Sequence, residues 1–270
     1  MKIYYRKTIE RKSFVEEILH IFEEEIRWKK RILVKPNIVS REEYPTTTHI
    51  ETLDAVLSLL TKSDRELVVG DGPALDARPQ SVIKYHIIKD ICAKHNVKLL
   101  NLHKYPKKVF NTNSDGQLKL KISTIPLTCD YIISLPILKA HKLKNIGITC
   151  ALKNQFGYLS NFHRLKYHIK HRLINRCIAN INYTVRTDLF IVDGIEVLLN
   201  ANEIRHGGYI AKLGIMFAGK DPVALDSYGF KLLKELGEKK LLNKDPVDIE
   251  YISLAQAYDL GNTNYELIEI

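Results

Sequence analysis

Short runs of branched and apolar residues recur along the chain: RILV at 31–34, ELVVG at 66–70, VKLLNL at 97–102, YIISL at 131–135, LFIVDG at 189–194 and LGIMFAG at 213–219. They are continuous rather than alternating, the pattern of strands covered on both faces. Helical patterns separate most of them. Ser13 with Glu16 reads as a capping box ahead of a helix with Phe14, Ile18 and Phe22 on one face; Thr48 with Glu51 reads as another ahead of LDAVLSLL. Ile83, Ile87, Ile88 and Ile91 fall at helical spacing over residues 81–95. The alternation predicts an α/β fold: a mostly parallel sheet flanked by helices, a three-layer sandwich. NTNSDGQLKLKIS breaks the rhythm, and Ser114, Asp115 and Gly116 between polar strands predict a small β-hairpin excursion. No repeat or low-complexity linker divides the chain. One domain over residues 1–270 is expected, with residues 139–187 as a basic helical insert or lobe within it.

In open α/β sheets ligands collect beyond the carboxyl ends of the strands, so the residues that follow each run carry the candidate chemistry. RILV leads into Lys35, Pro36 and Asn37; ELVVG into Asp71, Gly72 and Pro73; YIISL into Pro136, then Lys139 and His141; LFIV into Asp193 and Gly194. Singly, such residues are ordinary turn chemistry. Together they set Lys35, Asn37, Asp71, Lys139, His141 and Asp193 around one mouth. Thr46 and Thr47, just before the second helix, add backbone N–H groups suited to an anion, although Thr48 also reads as a plain cap. Asp221 followed by Pro222 reads as an N-cap and first helical residue, and Asp226 as either a site residue or the end of a surface turn.

Charge sharpens this picture. Lys and Arg number 41 against 31 acidic residues, a net charge of +10, and residues 131–187 hold ten Lys or Arg and no Asp or Glu. A basic block rich in apolar residues reads as a folded positive pocket or surface. Cys92, Cys129, Cys150 and Cys177 form no C-x-x-C pair, so no iron–sulfur cluster is expected and reduced, mostly buried thiols are. No apolar run approaches the ~18 residues that cross a bilayer, and MKIYYRKTIERKS lacks the apolar core of a signal peptide. A cytoplasmic protein with no membrane partner is expected.

The order of VKPNIV, TTTH, VVGDGP, LPILKAHKLKNIGITCALKNQFG, a His-bearing helix, IVDGI and AGKDPVALD over residues 31–229 resembles the DUF362 family of bacterial and archaeal proteins. The resemblance implies a signature site of Lys139, His141, Lys153, Asn154 and Gly157, with His168 as the helix histidine. Many members carry a ferredoxin-like domain with runs of cysteines, which this chain lacks. After IVDGI it also reads EVLLNANEIRHGGYIAK, where the family is glycine-rich.

The leading expectation is binding, and possible transformation, of a small phosphate- or carboxylate-bearing metabolite. Lys139 and Lys153 would hold the anion, with Lys35, Asn37, Thr47, Asn154, Gly157 and His168 around it. His141 would transfer protons, and Lys153, its pKa depressed by neighbouring lysines, could attack a carbonyl. Asp71 and Asp193 would hold a divalent metal or a ribose hydroxyl. Two alternatives stand beside this. One is nucleic-acid binding by NFHRLKYHIKHRLINR, a helix with Phe162, Leu165, Ile169 and Leu173 inward and His163, Arg164, Lys166 and Lys170 outward. The other is docking to an iron–sulfur or redox protein, which rests on the family resemblance alone.

Overall fold

The structure, a computed structural model, describes residues 1–62, 64–112 and 118–270. Strands β1 (Lys2–Lys7), β2 (Arg31–Pro36), β3 (Glu66–Asp71) and β4 (Leu99–Asn101) are joined by α1 (Arg11–Ile21), α2 (Glu23–Ile26), α3 (Ile50–Leu60), α4 (Pro79–Tyr85) and α5 (Ile88–Lys94). After them come β5 (Lys107–Asn111), β6 (Lys119–Ser123), β7 (Tyr131–Leu135), β8 (Ile137–Ala140) and β9 (Ile148–Thr149). Helices α6 (Ala151–Asn154), α7 (Asn161–Ile169) and α8 (His171–Thr184) precede β10 (Leu189–Leu199) and β11 (Tyr209–Gly219); α9 (Pro222–Glu235), α10 (Glu250–Ala257) and β12 (Glu266–Glu269) complete the order.

The main sheet runs β12-β1-β11-β10-β7-β2-β3-β4. From β10 to β4 every neighbour is parallel, while β11 lies antiparallel to both β10 and β1. The expected mostly parallel sheet flanked by helices is therefore present. Its two faces carry separate cores. Phe14, Ile18, Leu53, Val56 and Cys92 of α1, α3 and α5 pack on one; Cys177, Ile178, Phe230, Leu233 and Tyr251 of α8, α9 and α10 pack on the other. This double cover explains why β2 and β7 read as unbroken apolar runs. The expected hairpin is the antiparallel pair β5–β6, and its turn, Ser114, Asp115 and Gly116, lies outside the described residues.

Several local expectations shift. Helix α1 starts two residues before Ser13, with Glu10 at its N-cap, so Ser13 is no capping-box residue; its hydroxyl donates to Glu10 O at 3.2 Å. His49, not Thr48, caps α3: its Nδ1 accepts from the Glu51 N–H at 3.2 Å. Thr48 Oγ1 instead accepts from Asn37 N–H and donates to Leu135 O, both at 2.7 Å, tying the end of β2 to the end of β7. The isoleucine pattern over 81–95 is two helices, broken where His86 turns extended. β10 continues to Leu199 rather than stopping at Gly194. Strands β1 and β12, too polar to read as strands, close the sheet edge.

Candidate functional site

Beyond the carboxyl ends of the parallel strands the chain turns polar because those ends meet no second layer of core. Lys35, the penultimate residue of β2, is fully buried, and its Nζ donates to Asp71 Oδ1 at 2.7 Å and to Pro36 O at 3.1 Å. Asp71, the last residue of β3, also accepts from the backbone N–H of Ile38 and of Gly72, each at 2.7 Å. Burial lowers the Lys35 pKa and the Asp71 carboxylate opposes that shift. Lys139, in β8, donates to Asn37 Oδ1 at 2.7 Å and to Thr46 O at 2.6 Å. Asn37 Nδ2 donates at 2.8 Å to Asn154 Oδ1, which closes a chain of hydrogen bonds across three strand ends.

Asn154 belongs to the one-turn helix α6, continued by a 3-10 turn over Gln155–Tyr158. Ser134 of β7 anchors this segment, its hydroxyl accepting from Asn154 Nδ2 and Gln155 Nε2, both at 2.9 Å. From the opposite side Asp226, buried in α9, accepts from the Leu152 N–H at 3.2 Å. Asp221 serves as the expected N-cap of α9, accepting from Ala224 N–H at 2.8 Å, so AGKDPVALD supplies one cap for its own helix and one anchor for α6. Two glycines let these segments close up. An added Cβ on Gly157 would overlap Asp71 Oδ1, and one on Gly72 would overlap the Gly157 carbonyl.

Over this floor lies a cavity of about 510 Å³, the size of an ordinary small-molecule site. Asn37, Asp71, Lys139 and His141 of the strand-end set line it, together with Lys153, Asn154, Gly157 and His168 of the family pattern. Lys35 does not; it holds the floor from beneath through Asp71. Thr47 is buried outside the lining, and of its neighbours only the Thr46 carbonyl reaches the site, through Lys139. The proposed metal pair fails. Asp193 does not line the cavity: it accepts from Arg11 Nε at 2.7 Å, Tyr44 Oη at 2.9 Å and Ile195 N–H at 3.0 Å. Asp71 is engaged by Lys35 and two backbone N–H groups. Among the described residues no group of three or more His, Cys, Asp or Glu could hold a metal ion.

The charged groups divide into tied and untied. Glu203 is paired with Arg205 Nε at 2.7 Å and Asp76 with Arg205 Nη2 at 2.9 Å, so of the lining carboxylates Asp71 is held by Lys35 while Asp76 and Glu203 share Arg205. Lys153 Nζ is half-buried and rests 4.1 Å from the centroid of the Phe156 ring. Burial, then Arg164, Lys139 and Lys35, lower its pKa to about 7, and burial lowers that of Lys139 to about 8. His141 is held well below its ordinary value by burial and by Lys153. Its Nδ1 accepts the Leu143 N–H at 3.0 Å, which makes it a neutral ring with the proton on Nε2.

In and just after helix α7 the apolar positions and Arg164 lie opposite to expectation, while Lys170 is exposed as expected. Phe162, Leu165 and Ile169 are 71%, 46% and 69% exposed, while Arg164 and Tyr167 are buried. Arg164 Nη1 donates to Pro73 O at 2.9 Å and to Gly72 O, and Tyr167 Oη donates to Lys119 O at 2.8 Å. Leu173, in α8, does pack inward. The helix lies over the cavity, which Arg164, Leu165 and His168 help to line, and Tyr167 joins the core beneath it. Arg164, Glu203 and His206 are among the lining residues the sequence reading missed. The signal for the last two was NANEIRHGG, which follows the true end of β10 rather than the early one.

The DUF362 family, described as a domain of unknown function, matches residues 32–231. A thylakoid-associated protein of Synechocystis sp. is 24% identical over 243 residues, covering 88% of this chain and 70% of that protein. The lactate racemase apoprotein of Thermoanaerobacterium thermosaccharolyticum shares the fold at a TM-score of 0.55 and 14% identity, over 81% of this chain; the chain spans about half, 53%, of that protein's length. Matched from the start of β2 into α9, through every segment that builds the cavity, the chain belongs to the DUF362 family.

Proposed function

We propose that the chain binds a small anionic metabolite, carboxylate- or phosphate-bearing, in the cavity at the strand ends. The observation that carries this reading is the pairing pattern: the lining carboxylates are engaged by Lys35 and by a shared Arg205, whereas Lys153 and Arg164 face the cavity without a carboxylate ion pair among the described residues. Ile38, Val39, Leu75, Leu143 and Phe156 give the rest of the wall, which suits an anion with an apolar body. Nucleic-acid binding has less support. Arg164 of the strip assigned to it turns inward, and Lys139, Lys153 and Arg164 line a cavity instead of an open surface. No structural observation favours a redox partner over these.

Ligand stabilisation tests the reading, because a molecule that binds only the folded chain raises its melting temperature with concentration. Succinate and inorganic phosphate should each raise it, and Lys153→Ala should abolish or strongly reduce the rise while Lys170→Glu on the outer face of α7 leaves it intact. A rise that survives Lys153→Ala, or no rise with either anion, removes the site.

A further inference from the structure

We propose that Lys153 is a nucleophile that condenses with the carbonyl carbon of an oxo acid bound in this cavity. The inference rests on the anion-binding reading and adds the substrate class and the bond formed.

The three lysines of the site, Lys35, Lys139 and Lys153, differ in what they touch. Lys35 bonds Asp71, Pro36 O and Asn154, and Lys139 bonds Asn37 and Thr46 O, so both are fixed by protein acceptors. Lys153 has a ring face for a neighbour, 4.1 Å from Nζ to the Phe156 centroid, and opens on the cavity. Neutralising it leaves no buried carboxylate unpaired among the described residues. Its position in a positive, partly dry pocket brings its pKa to about 7, so near neutral pH a large fraction is free amine, against roughly one part in a thousand for an exposed lysine. The lysine is also set rigidly: α6 is held by Ser134 on one side and Asp226 on the other. Arg164 supplies the second element. Its Nη1 is used by the Gly72 and Pro73 carbonyls, and its Nε and Nη2 bond no acceptor among the described residues, a fork suited to a carboxylate beside the reacting carbon.

The step balances without an oxidant or a reductant. The Nζ lone pair forms the N–C bond while the carbonyl π pair moves to oxygen, which takes up a proton. The carbinolamine then loses that hydroxyl as water and Nζ loses its remaining proton, leaving an imine between Lys153 and the former carbonyl carbon.

Reductive trapping reads this directly. The whole protein is incubated with pyruvate and sodium cyanoborohydride near neutral pH, and the adduct, one pyruvate less an oxygen atom, is located by peptide mass mapping. Labelling is expected at Lys153 at least ~tenfold faster than at exposed lysines such as Lys170, and it should be absent in Lys153→Arg. Adduct spread evenly over exposed lysines, or none at Lys153, overturns the proposal; the mapping is done on the unaltered chain, so it does not depend on how the variant folds. Succinate and phosphate stabilisation need no free amine. If they stabilise and no adduct forms, the nucleophile falls and the anion site stands; if neither occurs, both fall.

Discussion

Gly157 shows how much of the site turns on single atoms. Its missing Cβ is the space Asp71 occupies, so Gly157→Ala must push either the α6 segment off the end of β3 or Asp71 off Lys35. A loss of roughly 1–3 kcal/mol follows for an overpacked buried position, measurable by chemical denaturation; a change under a few tenths would mean that the two segments are not in contact. Asp226 makes a second case. Burial lifts its pKa to about 7, against about 3.9 in an unfolded chain, so between those values the folded protein keeps a proton that the unfolded chain has lost. Its contribution to stability therefore declines as pH rises from about 4 to about 7. Asp226→Asn keeps an acceptor for the Leu152 N–H and removes the titration. Melting curves of the variant relative to the parent should improve steadily across that interval, and parallel curves would place the proton elsewhere.

At the scale of elements, α7 carries the sharpest test. With Phe162 and Ile169 in solvent, Phe162→Gln and Ile169→Gln should change stability by no more than ~0.5 kcal/mol, whereas truncating a buried aromatic such as Tyr167 to Ala should cost roughly 3–5 kcal/mol. The reverse order would restore the orientation expected from amphipathicity. That expectation shows where sequence reading stops. The buried parallel strands were legible because continuous apolar runs have few other uses, and the residues after them were legible as a site because β2, β3 and β8 deliver their ends to one place. A helix roofing a cavity can turn a charged residue inward, as α7 does with Arg164, and periodicity alone does not say which surface a helix faces. Thr48 failed for a related reason: its hydroxyl serves two strand ends rather than its own helix.

Across the whole molecule, part of the basic block of residues 131–187 is an inward charge, while Lys142, Lys144, Lys170 and Arg186 are exposed. Lys139, Lys153 and Arg164 lie against a cavity whose carboxylates are already paired, so the positive potential is concentrated where a ligand would sit. Because Lys139 and Lys153 lose their protons at about 8 and about 7, succinate affinity should weaken as pH rises from about 6 to about 9, a range over which succinate keeps its charge. Titration calorimetry reads that slope, and an affinity flat across the range would exclude both amines from binding. Among the described residues no helix is long and apolar enough to cross a membrane.

Arg164 fastens α7 to the Gly72 and Pro73 carbonyls with the same guanidinium that faces the cavity. A ligand that takes hold of that group therefore acts on the roof as well as the floor, and occupancy of the pocket should be visible from outside it, as a change in amide hydrogen exchange along residues 161–169 on adding succinate.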